Sequence, residues 1–372
     1  MTPSPMNPAP RPGILDISPY VGGRSAVPGK VAEIWKLSAN ESPFGPGPAA
    51  LEAMKTIAAD AGIYPESSAR ILREAIGEEL GLDPARIICG GEGSGPLLSM
   101  LAAAYLTPGD EVVFSQHAFL LYEIAARANS AKPVIVPERV TNRAIKVDVD
   151  AMLAAVTPRT RLVYIANPNN PTGSYLTSDE LRRLHKGLPS NVLLVIDSAY
   201  SEYVDAEDYE DGAALVTASD NVVMTRTFSK IHGLAGLRIG WAYAPAAVIE
   251  ILNRIRGPFN VGSLQARVGA AAIRDRAHIA RAQAHNRQWR AWLTEEVRKT
   301  GLRVDDSAAN FVLIHFSEGA RDAKAADAFL MSRGLILRAM GSYGLPDALR
   351  LTVGTAEANQ LVAAALREFM GQ

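Results

Sequence analysis

Short apolar runs and longer amphipathic stretches alternate along the chain from about residue 86 to about residue 245. "RIICG" precedes "GPLLSMLAAAYL", "DEVVFS" precedes "FLLYEIAARAN", "KPVIVP" precedes "DVDAMLAAVT", and "RLVYIAN" precedes "TSDELRRLHKGL" and then "NVLLVID". Runs that are apolar throughout, and rich in Val and Ile, suit strands buried on both faces; helical periods between them make βα units. The pattern predicts an α/β fold with a mostly parallel central sheet flanked by helices. Thr177 and Glu180 stand at capping-box spacing at the head of one helix. "NVVMTRTF" and "LRIGWAYA" add two further strands around a short loop.

The rhythm changes after about residue 255. "RDRAHIARAQAHNRQWRAWLTEEVRKTG" carries Trp289, Trp292, Leu293 and Val297 on one helical face and stops at Gly301, which predicts a long helix joining two lobes. "NFVLIHF", "DAKAADAFLMSRG", "LILRAM", "ALRLTVG" and "AEANQLVAAALREFM" then form a smaller α/β lobe. The expected division is an extended arm over 1–35, a large domain over 36–275 and a small C-terminal domain over 276–372. Prolines at 3, 5, 8, 10 and 12 preclude a helix in the arm, which either moves freely or lies across a neighbouring subunit.

Composition narrows the function. The 372 residues hold 38 basic and 39 acidic side chains, so no global field draws nucleic acid or an anionic membrane, and a charged ligand must be recognised locally. Cys89 is the sole cysteine, which excludes an internal disulfide and thiolate-rich metal sites and fits a reducing compartment. The six histidines include no closely spaced ligand pair, so no metal is expected. The N-terminus lacks the basic start and apolar core of a secretory signal, and no window has the apolar length of a membrane span. The expectation is a soluble cytoplasmic protein.

Four segments fall at the C-terminal ends of predicted strands, where open α/β sheets bind ligands. "CGGEGSGP" (89–96) opens a helix, and Ser94 with the Gly95 amide either meets a phosphate or closes a tight turn. "ANPNNPTG" (166–173) reads first as a rigid turn, the rival being that Asn170 aims its amide at a ligand. Asp197 ends an all-apolar strand, with Tyr200 three residues on; it either meets a cation or caps a helix. "MTRTFSKIHGLAGLRIGW" (224–241) sets Lys230 beside Thr227, Ser229 and Arg238. Lysine forms imines with carbonyls once its amine is neutral, and the three neighbours are donors suited to a phosphate. A reactive lysine, a phosphate-binding set and an acid at a neighbouring strand end are together what pyridoxal phosphate requires.

Asn170-Pro-Thr-Gly, Asp197-x-x-Tyr200 and Ser229-Lys230 with Arg238, in that order, resemble the fold-type I pyridoxal phosphate aminotransferases. The likeness runs from about residue 36 to the C-terminus. "LSANESPFGP", Tyr64-Pro65, "RTFSKIHGLAGLRIGW" and "MGSYGLPDALRLTVGT" narrow it to the histidinol-phosphate aminotransferase branch. The resemblance implies transfer of an amino group between L-histidinol phosphate and 2-oxoglutarate in histidine biosynthesis, through an internal aldimine on Lys230. By the same resemblance, residues 36–275 are the cofactor-binding domain, Lys230 moves the proton, and Asp197 pairs with the pyridine nitrogen. Asn170 and Tyr200 would donate to the ring hydroxyl oxygen, and Phe119, or in its place His117, would lie on the ring face. Ser94, Gly95, Thr227, Ser229 and Arg238 would hold the phosphate, with Tyr64 reaching it from the partner of a homodimer. Arg350, Arg338, Tyr20 and Asn170 would line the substrate pocket.

Two departures from the family pattern stand out: Ser94-Gly95-Pro96 replaces the usual G-S-D-E or G-S-N-E, and Ser198 stands where D-E-A-Y has its glutamate. The alternative within the branch is an aromatic amino acid aminotransferase. A dinucleotide-dependent oxidoreductase, suggested by the glycine loop and by Glu111 about twenty residues on, is the alternative from another class.

Overall fold

A computed structural model describes residues 9–27, 31, 33–56 and 62–372. Pro3, Pro5 and Pro8 of the arm lie outside the described residues. Among those described, no helix is long and apolar enough to cross a membrane.

The central sheet has seven strands, which we number β1 (Ile87–Gly90), β2 (Glu111–Ser115), β3 (Lys132–Val136), β4 (Thr160–Ala166), β5 (Leu193–Asp197), β6 (Val222–Thr227) and β7 (Gly240–Tyr243). Their spatial order is β1-β7-β6-β5-β4-β2-β3. Strands β3, β2, β4, β5 and β6 run parallel, whereas β7 is antiparallel to both β6 and β1. The reason lies in the β6–β7 connection, which holds only a single turn of 3-10 helix, Ala235–Leu237. A parallel return needs a full crossover, usually helical, and this connection forms no α-helix to make one.

Successive residues of one strand enter opposite cores. Leu194 and Ile196 join one apolar cluster, Leu193 and Val195 the other, and all four are buried. Burial on both faces is why these strands read as apolar throughout. Helices α1 (Gly95–Tyr105), α2 (Leu121–Ala128) and α3 (Ser178–Gly187) cover the sheet, and Thr177 with Glu180 forms both halves of the capping box on α3.

Helix α4 (Ser263–Arg274) leads into α5 (Arg276–Arg298), with Asp275 capping the latter through the His278 amide. Leu293 and Val297, with half-buried Trp289 and Trp292, pack on the core of the second sheet. That sheet is antiparallel, in the order β8 (Arg303–Val304), β9 (Phe311–His315), β11 (Ala348–Thr352), β10 (Arg338–Ala339). The segment "LILRAM" therefore divides: Leu335–Ile336 pairs in parallel with Trp35–Lys36, and Arg338–Ala339 joins the sheet. Leu37 is buried in the same cluster as Leu349 and Leu351, so the chain touches the small lobe before it enters the large sheet.

Parallel alignment brings the ends of β4, β5 and β6 to one edge, where Ala166 pairs with Asp197 and Asp197 with Thr225. Because β7 is reversed, its first residue reaches the same edge, Gly240 opposite both Thr227 and Gly90. The glycine loop and Arg238 thus meet the residues after β5 and β6.

Candidate active site

A cavity of about 590 Å³ opens at that edge, between the large sheet and the small lobe. Ser94, Gly95, Thr227, Ser229 and Arg238 converge on one end of it. Ser94 is the N-cap of α1, its side chain makes no capping bond, and Pro96 sits in the first turn. This leaves the Ser94 hydroxyl and the amides of the helix start available to an anion, on the side where the helix dipole favours one. Arg238, itself in the left-handed region (φ 55), is fixed by bonds to Ser229 Oγ (3.3 Å), the Ala235 carbonyl (3.0 Å) and the Glu92 carbonyl (3.1 Å). Gly93 (φ 92) lets the guanidinium pass: a Cβ there would lie 2.9 Å from Arg238 Nη2.

Lys230 and Asp197 also line the cavity. Lys230 Nζ donates to the Ala39 carbonyl at 3.2 Å and lies 5.6 Å from the centre of the Tyr200 ring. Burial, reinforced by the Arg350 charge, brings its amine down to about 7. Asp197 caps no helix, since the turn that follows, Ser201–Tyr203, begins at Tyr200. Its carboxylate accepts from the Tyr122 hydroxyl (3.0 Å) and the Thr225 hydroxyl (3.3 Å). Burial raises its pKa to about 6 despite these bonds, which by themselves favour the ionised form. Ser198, at the departure from the family pattern, turns away and donates to the Asp211 carbonyl at 2.7 Å.

At the other end, Arg338 and Arg350 are directly opposite one another on β10 and β11 and both line the cavity. Like charges in that relation repel, and a bound anion relieves the repulsion. Arg350 is buried; it donates to Asn170 Oδ1 and to the Ser38 carbonyl (3.0 Å), and its Nε has no partner. Arg338 donates to the Val21 carbonyl of the arm at 2.6 Å, beside the half-exposed Tyr20. Tyr343, absent from the sequence-derived set, lines the same end; its signal was the "GSYG" turn between the two arginine strands.

Phe119 is in the cavity wall. His117 instead bonds Glu138 in the interior at 2.6 Å. Tyr64 is 81% exposed and stacks on Phe259 at 4.8 Å, outside this chain's cavity. Glu111, the acid that a dinucleotide site would use, is the first residue of β2, at the opposite edge of the sheet, and is tied to Thr157 and Arg159. The oxidoreductase alternative therefore lacks its ribose ligand. Tyr122, Thr225, Ser38, Ala39 and Asn40 were given no role by the sequence, although Ser38–Asn40 lie within "LSANESPFGP" and Thr225 within "MTRTFSKIHGLAGLRIGW". Each acts through a neighbour brought in by the fold.

The donor set fits a phosphorylated ring aldehyde. Hydroxyls, helix amides and an arginine await an anion at one end, and an amine and a carboxylate with opposite pKa shifts lie between that end and the two arginines. No cluster of groups able to hold a metal ion occurs among the described residues.

A lysine of this kind beside an anion cradle, on a doubly covered, mostly parallel sheet, is suited to the chemistry of amino-group transferases. Residues 32–366 match the model of aminotransferase class I and II, and the chain belongs to that family. More particularly, it is 56% identical to the histidinol-phosphate aminotransferases of Rhodopseudomonas palustris strain TIE-1 and of Nitrobacter hamburgensis, over 98% of this chain and 99% of each relative. The histidinol-phosphate aminotransferase of Sinorhizobium meliloti, solved in complex with pyridoxal-5'-phosphate, superposes with a TM-score of 0.84 at 30% identity, covering 92% of both chains. A mutant of Thermus thermophilus aspartate aminotransferase shares the fold, with a TM-score of 0.77 at 24% identity over 90% of this chain and 95% of that one.

Proposed function

We propose that this aminotransferase uses pyridoxal 5'-phosphate to move an amino group between L-histidinol phosphate and 2-oxoglutarate, as the names of its relatives and the chemistry of its cavity support. One juxtaposition carries the assignment: a half-buried lysine, its amine brought down to about 7, shares a cavity with a buried carboxylate, an anion cradle at one end and paired arginines at the other. When bound, the cofactor supplies an aldehyde for the amino group and a ring that withdraws electrons from the substrate carbon.

The remaining work belongs to side chains. Lys230 Nζ takes a proton from the substrate carbon and returns one, which needs an amine that exchanges protons near neutral pH. Asp197, ionised at pH 7, holds the proton on the ring nitrogen. Asn170 and Tyr200 would donate to the ring oxygen, and Phe119 would cover the ring. Ser94, the Gly95 amide, Thr227, Ser229 and Arg238 grip the cofactor phosphate. Arg350, with Arg338 and Tyr20, accepts the phosphate of one substrate and the carboxylate of the other, a dual task for which planar, forked guanidinium groups are suited. The division at residues 275 and 276 belongs to the same proposal, as do a cytoplasmic homodimer and a Tyr64 that reaches the phosphate of the partner subunit.

The deciding experiment is an amino-donor profile of the cofactor-loaded protein. We expect kcat/KM for histidinol phosphate to exceed that for phenylalanine; the reverse order would favour the aromatic aminotransferase.

A further inference from the structure

Asn40 carries no chemistry of its own, is buried, and holds a left-handed backbone (φ 55). Asparagine tolerates that conformation better than most residues, and bonds on every polar group secure it here. Its N–H donates to Thr352 Oγ1 (3.0 Å), and its carbonyl accepts from Asn310 Nδ2 (3.0 Å). Its Oδ1 accepts from the Thr352 hydroxyl (3.2 Å), and its Nδ2 donates to Tyr200 Oη (2.8 Å).

The direction of these bonds has a chemical effect. Thr352 Oγ1 already accepts the Asn40 N–H, and its own proton goes to Asn40 Oδ1, so the amide nitrogen is the atom that faces Tyr200. A phenol has a single proton. With an amide donor on its oxygen, Tyr200 keeps that proton for the cavity it lines. The preceding residue meets the lysine, since the Ala39 carbonyl accepts from Lys230 Nζ.

We propose that Asn40 is a positioning residue: it aims the Tyr200 hydroxyl proton into the cavity and, through Thr352 on β11, makes that aim depend on the small lobe. The inference rests on the cofactor assignment above, in which Tyr200 faces the ring oxygen.

The test follows the visible absorbance of the full-length, pyridoxal 5'-phosphate-loaded protein against pH. A donor at the ring oxygen favours its anionic form, so withdrawing the donor raises the midpoint by about one pH unit, the scale of one charge-assisted hydrogen bond. Asn40→Gly keeps the backbone conformation accessible and removes the amide. We expect it to raise the midpoint as Tyr200→Phe does, and the double variant to go no further than Tyr200→Phe alone. Asn40→Asp can accept from Thr352 and from Tyr200 but cannot donate, so it should not restore the wild-type midpoint, whereas a purely structural role would be rescued by it. A wild-type midpoint in Asn40→Gly, an additive shift in the double variant, or rescue by Asp would overturn the proposal. If Asn40→Gly does not fold, Thr352→Val, which frees the amide to turn over, must shift the midpoint in the same direction, and no shift there overturns it equally. A wild-type protein with no pH-dependent visible band would instead refute the cofactor assignment, and this inference with it.

Discussion

Lys230 is charged in an ordinary setting at neutral pH, and here burial brings it to about 7. In cofactor-free protein, labelling of Lys230 by an amine-acylating reagent should therefore be half-maximal near pH 7; a midpoint near that of a free lysine would refute the assignment. Lys230→Ala should lower turnover by roughly 10²–10⁴-fold, the usual worth of a positioned general acid or base, while the cofactor phosphate still binds. Asp197 shows the opposite shift, and its sign has a cost. Its pKa is about 6 in the fold against 3.8 as the ordinary value, so between those pH values the folded state binds more protons than the unfolded one. The stability it contributes is present below pH 4 and is lost as pH rises through 6. Asp197→Asn, measured by denaturant unfolding of cofactor-free protein, should abolish that loss and at the same time abolish activity. Arg350→Ala should raise KM for both anionic substrates by about tenfold or more, the worth of a charged hydrogen bond, and an unchanged value would remove its assigned role.

At the level of elements, the chemistry depends on how tightly two loops approach. Gly233, in the turn after Lys230, has φ 67, and a Cβ there would sit 1.9 Å from the Gly45 carbonyl oxygen. Gly233→Ala combines a left-handed alanine, which costs about 1–2 kcal/mol, with a backbone collision, so the unfolding midpoint should fall and cofactor affinity with it. Both consequences are readable by urea titration with and without cofactor. Much of this level was legible in the sequence. The all-apolar runs disclosed strands buried on both faces, and Thr177 with Glu180 disclosed a helix start, because both signals are local. The reversal of β7 was not evident, since it depends on the connection after β6 forming no crossover helix and on space between β6 and β1. The division of "LILRAM" between two sheets was equally hidden, because one of its partners is Trp35–Lys36, far away in the chain. In the site, residues on strand ends stood out by type and spacing. The roles of Tyr122, Thr225 and Asn40 did not, even though the last two lie in segments singled out in the sequence, because each acts on a neighbour that only the fold supplies.

For the whole molecule, the exposed face carrying Ile63, Tyr64 and Phe259 is where the proposed dimer has its support in this chain. Mixing two inactive variants tests it. If each cavity takes Lys230 from one subunit and Tyr64 from the other, co-refolded Lys230→Ala and Tyr64→Ala chains form heterodimers with one intact site, and activity returns. Recovery of none, or sedimentation of an active single chain, would refute the shared site. The stretch Ser38–Asn40 adds a constraint on assembly. It is joined to Arg350 and Thr352, each 312 positions away, and to Lys230 across 191. Contacts so far apart in the chain close slowly. A nascent chain that has emerged past β7 but not yet through β11 can complete the seven-stranded sheet, yet it has no Arg350 or Thr352 to seat Ser38–Asn40 beside the lysine, so catalytic competence arrives only with β11.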